Sequence, residues 1–207
     1  MSHKLLLPTA FLPNTAYFSL LINNNSINID IFEYFVKQSI RNRCLIVTSN
    51  GPLILSIPLI NSGNKTTTGN KQISYTENWQ IKHWRSIESA YRNSPYFEYF
   101  EEEIKKSFFS KHELLIDYNQ QLTETVFSIL RKPIDIKFTN SYLPNSESDY
   151  REVEKINLLI AHFPDYYQVF LHTNGFIPNA SILDLLFNEG LNSISYLTEL
   201  KHSKTVR

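Results

Sequence analysis

The sequence predicts a mixed α/β domain, with a layered strand–helix N-terminal part that contains a β-hairpin and a mainly helical C-terminal part. Three observations support this prediction. Short β-rich or alternating runs occur early in the chain, an Asn-Gly pair separates two of them, and helical periodicity dominates from residue 79 onward. The length of 207 residues and the apolar content of 42% are sufficient for one substantial core.

The N-terminal segment alternates between strands and a helix. Leu5–Leu7 form a short apolar run that ends at Pro8, which predicts a buried strand. Residues 16–22 carry apolar side chains at helical spacing, so they predict a short helix. Residues 27–31 alternate between apolar and polar types, as a half-buried strand does.

A hairpin and a polar loop follow. Residues 44–48 and 53–57 are β-rich and flank Asn50-Gly51, a pair that favours a tight hairpin turn because both residues tolerate a positive φ. Residues 61–71 contain no apolar residue, so we expect an exposed loop. This loop is either a plain surface connection or a functional lid.

Helical patterns dominate the next part of the chain. Residues 79–92 place large apolar side chains on one helical face. Ser94 can cap a further helix that starts at Pro95. Residues 114–130 predict a long amphipathic helix, and residues 134–138 alternate as a strand.

The C-terminal part follows a polar, turn-rich segment. We predict an α/β core domain over residues 1–138, a linker loop over 139–150, and a mainly helical segment over 151–207 that packs on the core. Residues 181–184 resemble a capping box, and Gly190 suits the end of the helix that follows.

Composition excludes several classes of function. Lys+Arg and Asp+Glu balance at 20 each, which argues against a nucleic-acid binder or a polybasic membrane-surface protein. No stretch approaches the roughly 20 apolar residues of a membrane span. The single cysteine, Cys44, allows no internal disulfide and fits a reducing compartment, so we predict a cytoplasmic protein. We expect Cys44 to be a buried, inert thiol, with a reactive thiolate beside Arg43 as the alternative.

The sequence contains no signature of a cofactor or metal site. Its five glycines never cluster as a phosphate-binding loop requires, so an anion would be held by side chains or by a helix N-terminus. The six histidines are scattered and form no His-x-x-x-His pair. We therefore predict no cofactor and no metal.

Residues 37–43 (Lys-Gln-Ser-Ile-Arg-Asn-Arg) form the densest polar cluster. In an extended conformation Lys37, Ser39, Arg41 and Arg43 would point to one side. Guanidinium and ammonium groups match the paired oxygens of phosphate or carboxylate. The alternative is a solvated strand face that discourages edge pairing.

Residues 79–92 contain the acid–base candidates. His83 is the type of side chain most easily tuned near neutral pH, although it can equally be a packed neighbour of two tryptophans. Arg85, Glu88 and Arg92 have the spacing of a structural ion-pair row on a helix.

Distinctive segments are distributed along most of the chain. Two examples are Lys-x-Ser-x-Arg-Asn-Arg at 37–43 and Ser-Pro-Tyr-Phe at 94–97. The full set comprises residues 7–13, 17–18, 37–44, 56–59, 79–91, 94–99, 167–170, 175–179 and 183–190. Together these segments resemble the WbqC-like protein family, especially its members from the Bacteroidetes lineage.

The resemblance implies a function. Some relatives occur among genes for surface-polysaccharide synthesis, which implies a transferase acting on activated sugars or their amino groups. The expected partner is a small anionic or nucleotide-activated metabolite. The predicted substrate-binding residues are Lys37, Ser39, Arg41, Asn42, Arg43, Arg85, Tyr91 and Tyr96, and the predicted catalytic residues are His83 and Glu88.

The alternative function is a non-catalytic module that binds a protein or a glycan. An enzyme should bring the cations and His83 together in one concave pocket. A module should disperse them and expose an aromatic-rich apolar patch.

The start of the chain departs from the family pattern. Many relatives open with Gln-Pro and carry Gly before the Tyr-Phe pair, whereas this chain has Leu7-Pro8 and Ala16. Loss of that glycine argues against a ligand at the start of the first helix. The strand–turn–helix opening nevertheless resembles nucleotidylyltransferase-like folds, which would place a phosphate there.

Overall fold

Strands and helices alternate in the first half of the chain, and helices dominate the second half. The computed structural model describes residues 5–24, 26–61, 66–144 and 149–200. The strands are β1 (Leu5–Pro8), β2 (Ile27–Asp30), β3 (Arg43–Thr48), β4 (Gly51–Ser56) and β5 (Ile136–Phe138). The helices are α1 (Thr15–Ile22), α2 (Trp79–Tyr91), α3 (Phe97–Phe108), α4 (Leu115–Ile129), α5 (Val153–Leu158), α6 (Leu171–Asn174), α7 (Ile182–Glu189) and α8 (Ser193–Glu199). No helix in these ranges is both long and apolar enough to span a bilayer.

Three parallel strands form one sheet in the order β1-β2-β5. β1 pairs with β2 from Leu5↔Ile27 to Pro8↔Asp30, and β2 pairs with β5 from Ile27↔Ile136. The carboxyl ends of the strands therefore meet at one edge of the sheet. In open α/β sheets this edge is where ligands most often bind.

The hairpin β3–β4 forms a separate antiparallel pair. Its register runs from Arg43↔Ser56 to Thr48↔Gly51, as the Asn50-Gly51 turn predicts. Gly51 has a φ of 94°, a conformation that most other residues adopt only with strain. Cys44 is buried within β3, and burial raises the pKa of its thiol. The buried thiol is confirmed, and the alternative of a reactive thiolate is wrong.

One hydrophobic core joins the sheet, the hairpin and the helices. Phe11, Trp79, Phe108 and Tyr118 pack ring against ring, with the Trp79 and Tyr118 centroids 5.8 Å apart. Burying one such aromatic side chain contributes about 1.5–3 kcal/mol. The high aromatic content is thus used mainly inside the molecule.

Side chains cap two of the helices. Asn14 Oδ1 accepts a hydrogen bond from the Tyr17 amide at the start of α1, and Ser181 Oγ accepts from the Leu183 amide at the start of α7. The predicted Ser181 cap is confirmed. Asp184 does not complete a capping box, because its carboxylate is buried and accepts hydrogen bonds from Tyr166 and Gln168.

The predicted fold class is confirmed, and three local predictions differ from the structure. α3 begins at Phe97, because the Ser94 carbonyl first accepts the Phe97 amide in a turn. Thr68 and Gly69, in the loop expected to be exposed, are buried in a 3₁₀ turn. A Cβ at Gly69 would lie 2.9 Å from the Ile31 carbonyl oxygen, so the packing there requires glycine. Residues 62–65 of the same loop lie outside the described residues.

The third difference concerns residues 37–42, which form turns and not an extended strand. The predicted linker 139–150 is tied to the sheet on both sides, since the Thr139 amide donates to Ile29 and the Tyr150 amide donates to Leu6. The division into core, linker and helical segment stays a prediction.

Candidate functional site

The turn formed by residues 37–42 is held to three other parts of the fold. The Ile40 carbonyl accepts from the Phe11 amide, and the Arg41 carbonyl accepts from Asn119 Nδ2 of α4 at 2.8 Å. Asn42 exchanges hydrogen bonds with the backbone of Ile57 after β4. These bonds place the side chains of the turn in a defined arrangement before any ligand binds.

Arg41 is the best-anchored side chain of this turn. It is 1% exposed, and its Nε and Nη2 donate to the two carboxylate oxygens of Glu33 at 2.7 Å each. It also donates to Ser39 Oγ and to the Arg151 carbonyl. Four of its five N–H groups are therefore used inside the protein. This arrangement leaves the Arg41 guanidinium one N–H group for any further partner.

A second buried ion cluster adjoins the first at the carboxyl end of β2. Arg151 donates to Asp30, the last residue of β2, at 2.6 Å and to both carboxylate oxygens of Asp149. Burial alone would raise the pKa of Asp149, but the hydrogen bonds from Arg151 outweigh it and lower this pKa. The charges of Arg41 and Arg151 are thus matched by three carboxylates.

On the hairpin side of the turn lies a cavity of about 250 Å³, which we call the cationic cavity. Lys37, Arg43 and Lys71 line it together with Phe35, Leu59 and Ile60, and three amide side chains complete the wall. Among the residues that the structure describes, no acidic side chain belongs to this lining. The volume corresponds to about eight water molecules, which is ample for a phosphate or a pyrophosphate.

Lys71 is the most deeply buried cation of the cationic cavity. Lys71 is 5% exposed, and its Nζ lies 5.3 Å from the centre of the Phe35 ring. Burial lowers the pKa of Lys71, and the charge of Lys37 lowers it further. An anion beside Lys71 would oppose this lowering, because a neighbouring negative charge raises the pKa of a lysine.

Two buried polar atoms at the same cavity lack partners. Arg43 Nε and Asn42 Oδ1 have no hydrogen-bond partner among the residues that the structure describes. A buried donor or acceptor left without a partner costs about 1–3 kcal/mol. Such atoms beside a cavity are a common feature of ligand sites.

A second cavity, of about 370 Å³, adjoins the carboxyl edge of the sheet, and we call it the sheet-end cavity. Arg41, Arg151 and Glu152 line it together with Ser39. Lys37 and Gln38 line both cavities. The two cavities are therefore neighbours that adjoin at these two residues.

The predicted catalytic residues lie elsewhere. His83, on α2, and Glu88 line neither of the two cavities. The His83 ring packs on Trp79, with the two ring centroids 5.4 Å apart. Burial lowers the pKa of His83 to about 4, and the charge of Lys82 contributes a smaller part of this shift. Glu88 forms an ion pair with Arg92, which confirms one link of the predicted ion-pair row.

Three further predicted binding residues also lie outside both cavities. Tyr91 is 1% exposed, and its hydroxyl accepts a hydrogen bond from the Val47 amide. Tyr96 packs against Gly190, where a Cβ would approach the Tyr96 ring to 2.7 Å. Arg85 is exposed on α2. In this conformation none of them joins the cations of the turn.

The N-terminus of α1 offers no place for a phosphate. The Ala16 amide donates to Asn179 Oδ1, and the Tyr17 amide donates to Asn14 Oδ1. The Thr15 and Phe18 amides donate to backbone carbonyls. All four amides at the start of this helix have partners within the chain, so the expectation from nucleotidylyltransferase-like folds is wrong here.

The structure adds residues that the sequence analysis missed. Lys71, at the end of the polar loop, lines the cationic cavity together with Lys37 and Arg43. In the sequence, only its positive charge within a segment that has no apolar residue distinguishes it. Glu33 and Arg151 organise the turn from outside it. Within the described ranges, no group of three or more His, Cys, Asp and Glu side chains is placed to hold a metal ion.

Comparison with known proteins gives two matches. The sequence profile of the WbqC-like protein family matches residues 9–157. The uncharacterised protein Rv1507c of Mycobacterium tuberculosis is 24% identical over 219 residues, which cover 90% of this chain and 94% of that protein. No solved structure matches significantly. The family resemblance is confirmed, while the Bacteroidetes-type assignment stays a prediction.

Proposed function

Because the chain belongs to the WbqC-like protein family, we propose that it is a cytoplasmic transferase of cell-surface polysaccharide synthesis whose anionic or nucleotide-activated substrate binds in the cationic cavity. One observation supports the anion: of the described residues, three cationic side chains and no acidic one line a cavity in a chain of zero formal net charge. The link to polysaccharides rests on the family resemblance alone.

The proposal gives the residues of the turn two kinds of role. Lys37, Arg43 and Lys71 contact the anion, since they line the cationic cavity. Arg41 and Ser39 position the turn, because the Arg41 guanidinium binds Glu33 and Ser39. A preorganised cationic site avoids the cost of assembling like charges when the ligand arrives.

The acid–base roles of His83 and Glu88 remain part of the proposal without a contact to the anion. The low pKa of His83, about 4, leaves its ring neutral near pH 7, so the ring is able to accept a proton. Because His83 does not line the cationic cavity, the geometry supports the anion-binding part of the proposal and not the proton-transfer part.

A specific observation favours a second candidate, the non-catalytic protein- or glycan-binding module. Phe32, Tyr34 and Val36 are 40%, 64% and 51% exposed, and they directly precede the turn at residues 37–42. Clusters of exposed aromatic and aliphatic side chains are typical of interaction surfaces. This candidate explains the exposed side chains but leaves the cationic lining without a role.

The test measures thermal unfolding with pyrophosphate and with a nucleoside diphosphate sugar. At a concentration about 100 times Kd, a ligand stabilises the folded protein by about 2.7 kcal/mol, which raises Tm by roughly 5–10 °C in a chain of this size. Lys71→Met should abolish this shift. It should also raise Tm without ligand, because it removes a buried charge beside Lys37.

Lys106→Met is the matched control, since Lys106 is exposed on α3 and lines neither cavity. This variant should keep the full ligand-induced shift. If neither probe stabilises the parent protein, the anion proposal fails and the module becomes the better candidate. Loss of binding to glycans or peptides in Tyr34→Ser would then support the module directly.

A further inference from the structure

The sheet-end cavity differs chemically from the cationic cavity beside it. Its two arginines are already bound to carboxylates, Arg41 to Glu33 and Arg151 to Asp30 and Asp149. A carboxylate, Glu152, also lines it. The local charge is therefore close to balanced, and the cavity lacks the excess positive charge that would attract a second anion.

Its lining combines hydrogen-bonding groups with the apolar side chains of Val36 and Ile40, a mixture that suits a sugar ring with its hydroxyls and its C–H faces. Glu152 accepts, Gln38 both donates and accepts, and Arg41 Nη1 retains one N–H beyond its bond to Ser39. The Glu152 side chain is 68% exposed, and it forms an ion pair at 3.3 Å with Lys155, whose side chain is 47% exposed. Surface pairs of this kind are weak, so the Glu152 carboxylate can exchange that partner for a ligand hydroxyl.

One of the residues that line both cavities has an unusual backbone conformation. Gln38, which lines both, has a φ of 57°, a left-handed conformation that costs a non-glycine residue about 1 kcal/mol or more. The surrounding hydrogen bonds of Ser39, Arg41 and Asn42 maintain it. This conformation keeps Lys37 and Gln38 at the place where the two cavities adjoin.

From this juxtaposition we infer that one ligand occupies both cavities, with its phosphate in the cationic cavity and a neutral, hydroxyl-rich ring in the sheet-end cavity. The ligand class is a sugar phosphate or a larger molecule that contains one. The volume of about 370 Å³ corresponds to about twelve water molecules, which suits a hexose ring. This inference rests on the proposed anion site and adds what the anion is attached to.

The experiment compares three probes by calorimetry: inorganic phosphate, glucose 1-phosphate and cyclohexyl phosphate. The last has a six-membered ring of the same size without hydroxyl groups. We expect glucose 1-phosphate to bind at least tenfold more tightly than either of the others, because only its hydroxyls can use the polar lining.

Glu152→Gln should remove most of this tenfold preference and leave the affinity for inorganic phosphate unchanged. Glu102→Gln, on the exposed face of α3, is the matched control and should leave all three affinities unchanged. Arg43→Gln should weaken all three probes, since it alters the shared phosphate site.

The outcomes separate the two claims. Equal affinities for glucose 1-phosphate and cyclohexyl phosphate would overturn the inference and leave the anion site standing. An equal loss for all three probes in Glu152→Gln would also overturn it, because the carboxylate would then act on the phosphate. Failure of every probe to bind the parent protein would overturn the proposed function and this inference together.

Discussion

Basic side chains lie on both sides of the turn at residues 37–42, but the two sides differ in the acidic side chains around them. On the sheet side, Arg41 and Arg151 are each matched by carboxylates at hydrogen-bond distance. On the hairpin side, Lys37, Arg43 and Lys71 line a cavity to which the described part of the chain contributes no acidic side chain. The comparison shows that the number of basic residues does not identify an anion site, whereas the local balance of charge does.

The largest predicted effect follows from breaking the matched side. Arg41→Met leaves the Glu33 carboxylate buried without its partner, and removing one member of a buried pair costs about 3–5 kcal/mol. Chemical denaturation should show this loss. Lys71→Met, a similar change at the cationic cavity, should instead stabilise the protein by about 1 kcal/mol, because burial disfavours the Lys71 charge.

A double variant separates the loss of a partner from the loss of packing. Arg41→Met with Glu33→Leu removes both charges, so most of the stability lost in Arg41→Met should return. If the double variant is as unstable as the single one, the pair is not the cause and the contrast between the two sides of the turn fails.

The elements of the fold could be predicted from the sequence because neighbouring residues encode them. The Asn50-Gly51 turn, the Ser181 cap and the helical spacing of 79–92 are all local signals, and each corresponds to an observed element. The start of α3 was misplaced because a turn at Ser94 uses the same residue types as a cap.

The site was predictable only in part, because its key contacts join residues far apart in sequence. The local density of basic residues in the sequence predicts that Lys37 and Arg43 belong to an anion site. Alternate spacing alone suggested that Arg41 would point with them, but Glu33 draws Arg41 into the interior. Nothing near Lys71 in the sequence indicates that the fold brings it to Lys37, since that proximity depends on tertiary structure.

His83 shows a third way in which a partly buried basic group is accommodated, since its ring stays neutral. Burial lowers its pKa from 6.5 to about 4, so the unfolded chain binds a proton between these values and the folded chain does not. The free energy of unfolding should therefore fall as the pH decreases from about 6.5 to about 4. A fully buried ring would lose about 3 kcal/mol, and we expect about 1 kcal/mol because this ring is only half-buried.

His83→Phe isolates this effect, because phenylalanine keeps a ring against Trp79 and does not titrate. Urea unfolding at pH 7 and at pH 4.5 gives the difference for each protein. Asp184, whose pKa burial raises to about 6, acts in the opposite direction in both proteins, so the comparison between them removes its contribution. Identical pH dependence in the parent and in His83→Phe would show that the His83 ring accepts a proton in the folded state as readily as in the unfolded chain.

The smallest predicted effect concerns Gln38, which lines both cavities. Gln38 and Arg131 both have left-handed backbones, with φ values of 57° and 53°, and both are exposed, but Arg131 follows α4 and lines neither cavity. Replacing either with glycine relieves a strained conformation, so each variant should gain about 0.5–1 kcal/mol of stability. Only Gln38→Gly should also weaken the binding of glucose 1-phosphate, by about two- to fivefold, because it removes an amide from the shared wall and loosens the turn that positions Lys37. Equal ligand affinities in the two variants, measured by the same calorimetry, would mean that the strained turn serves the fold alone and that the two cavities act independently.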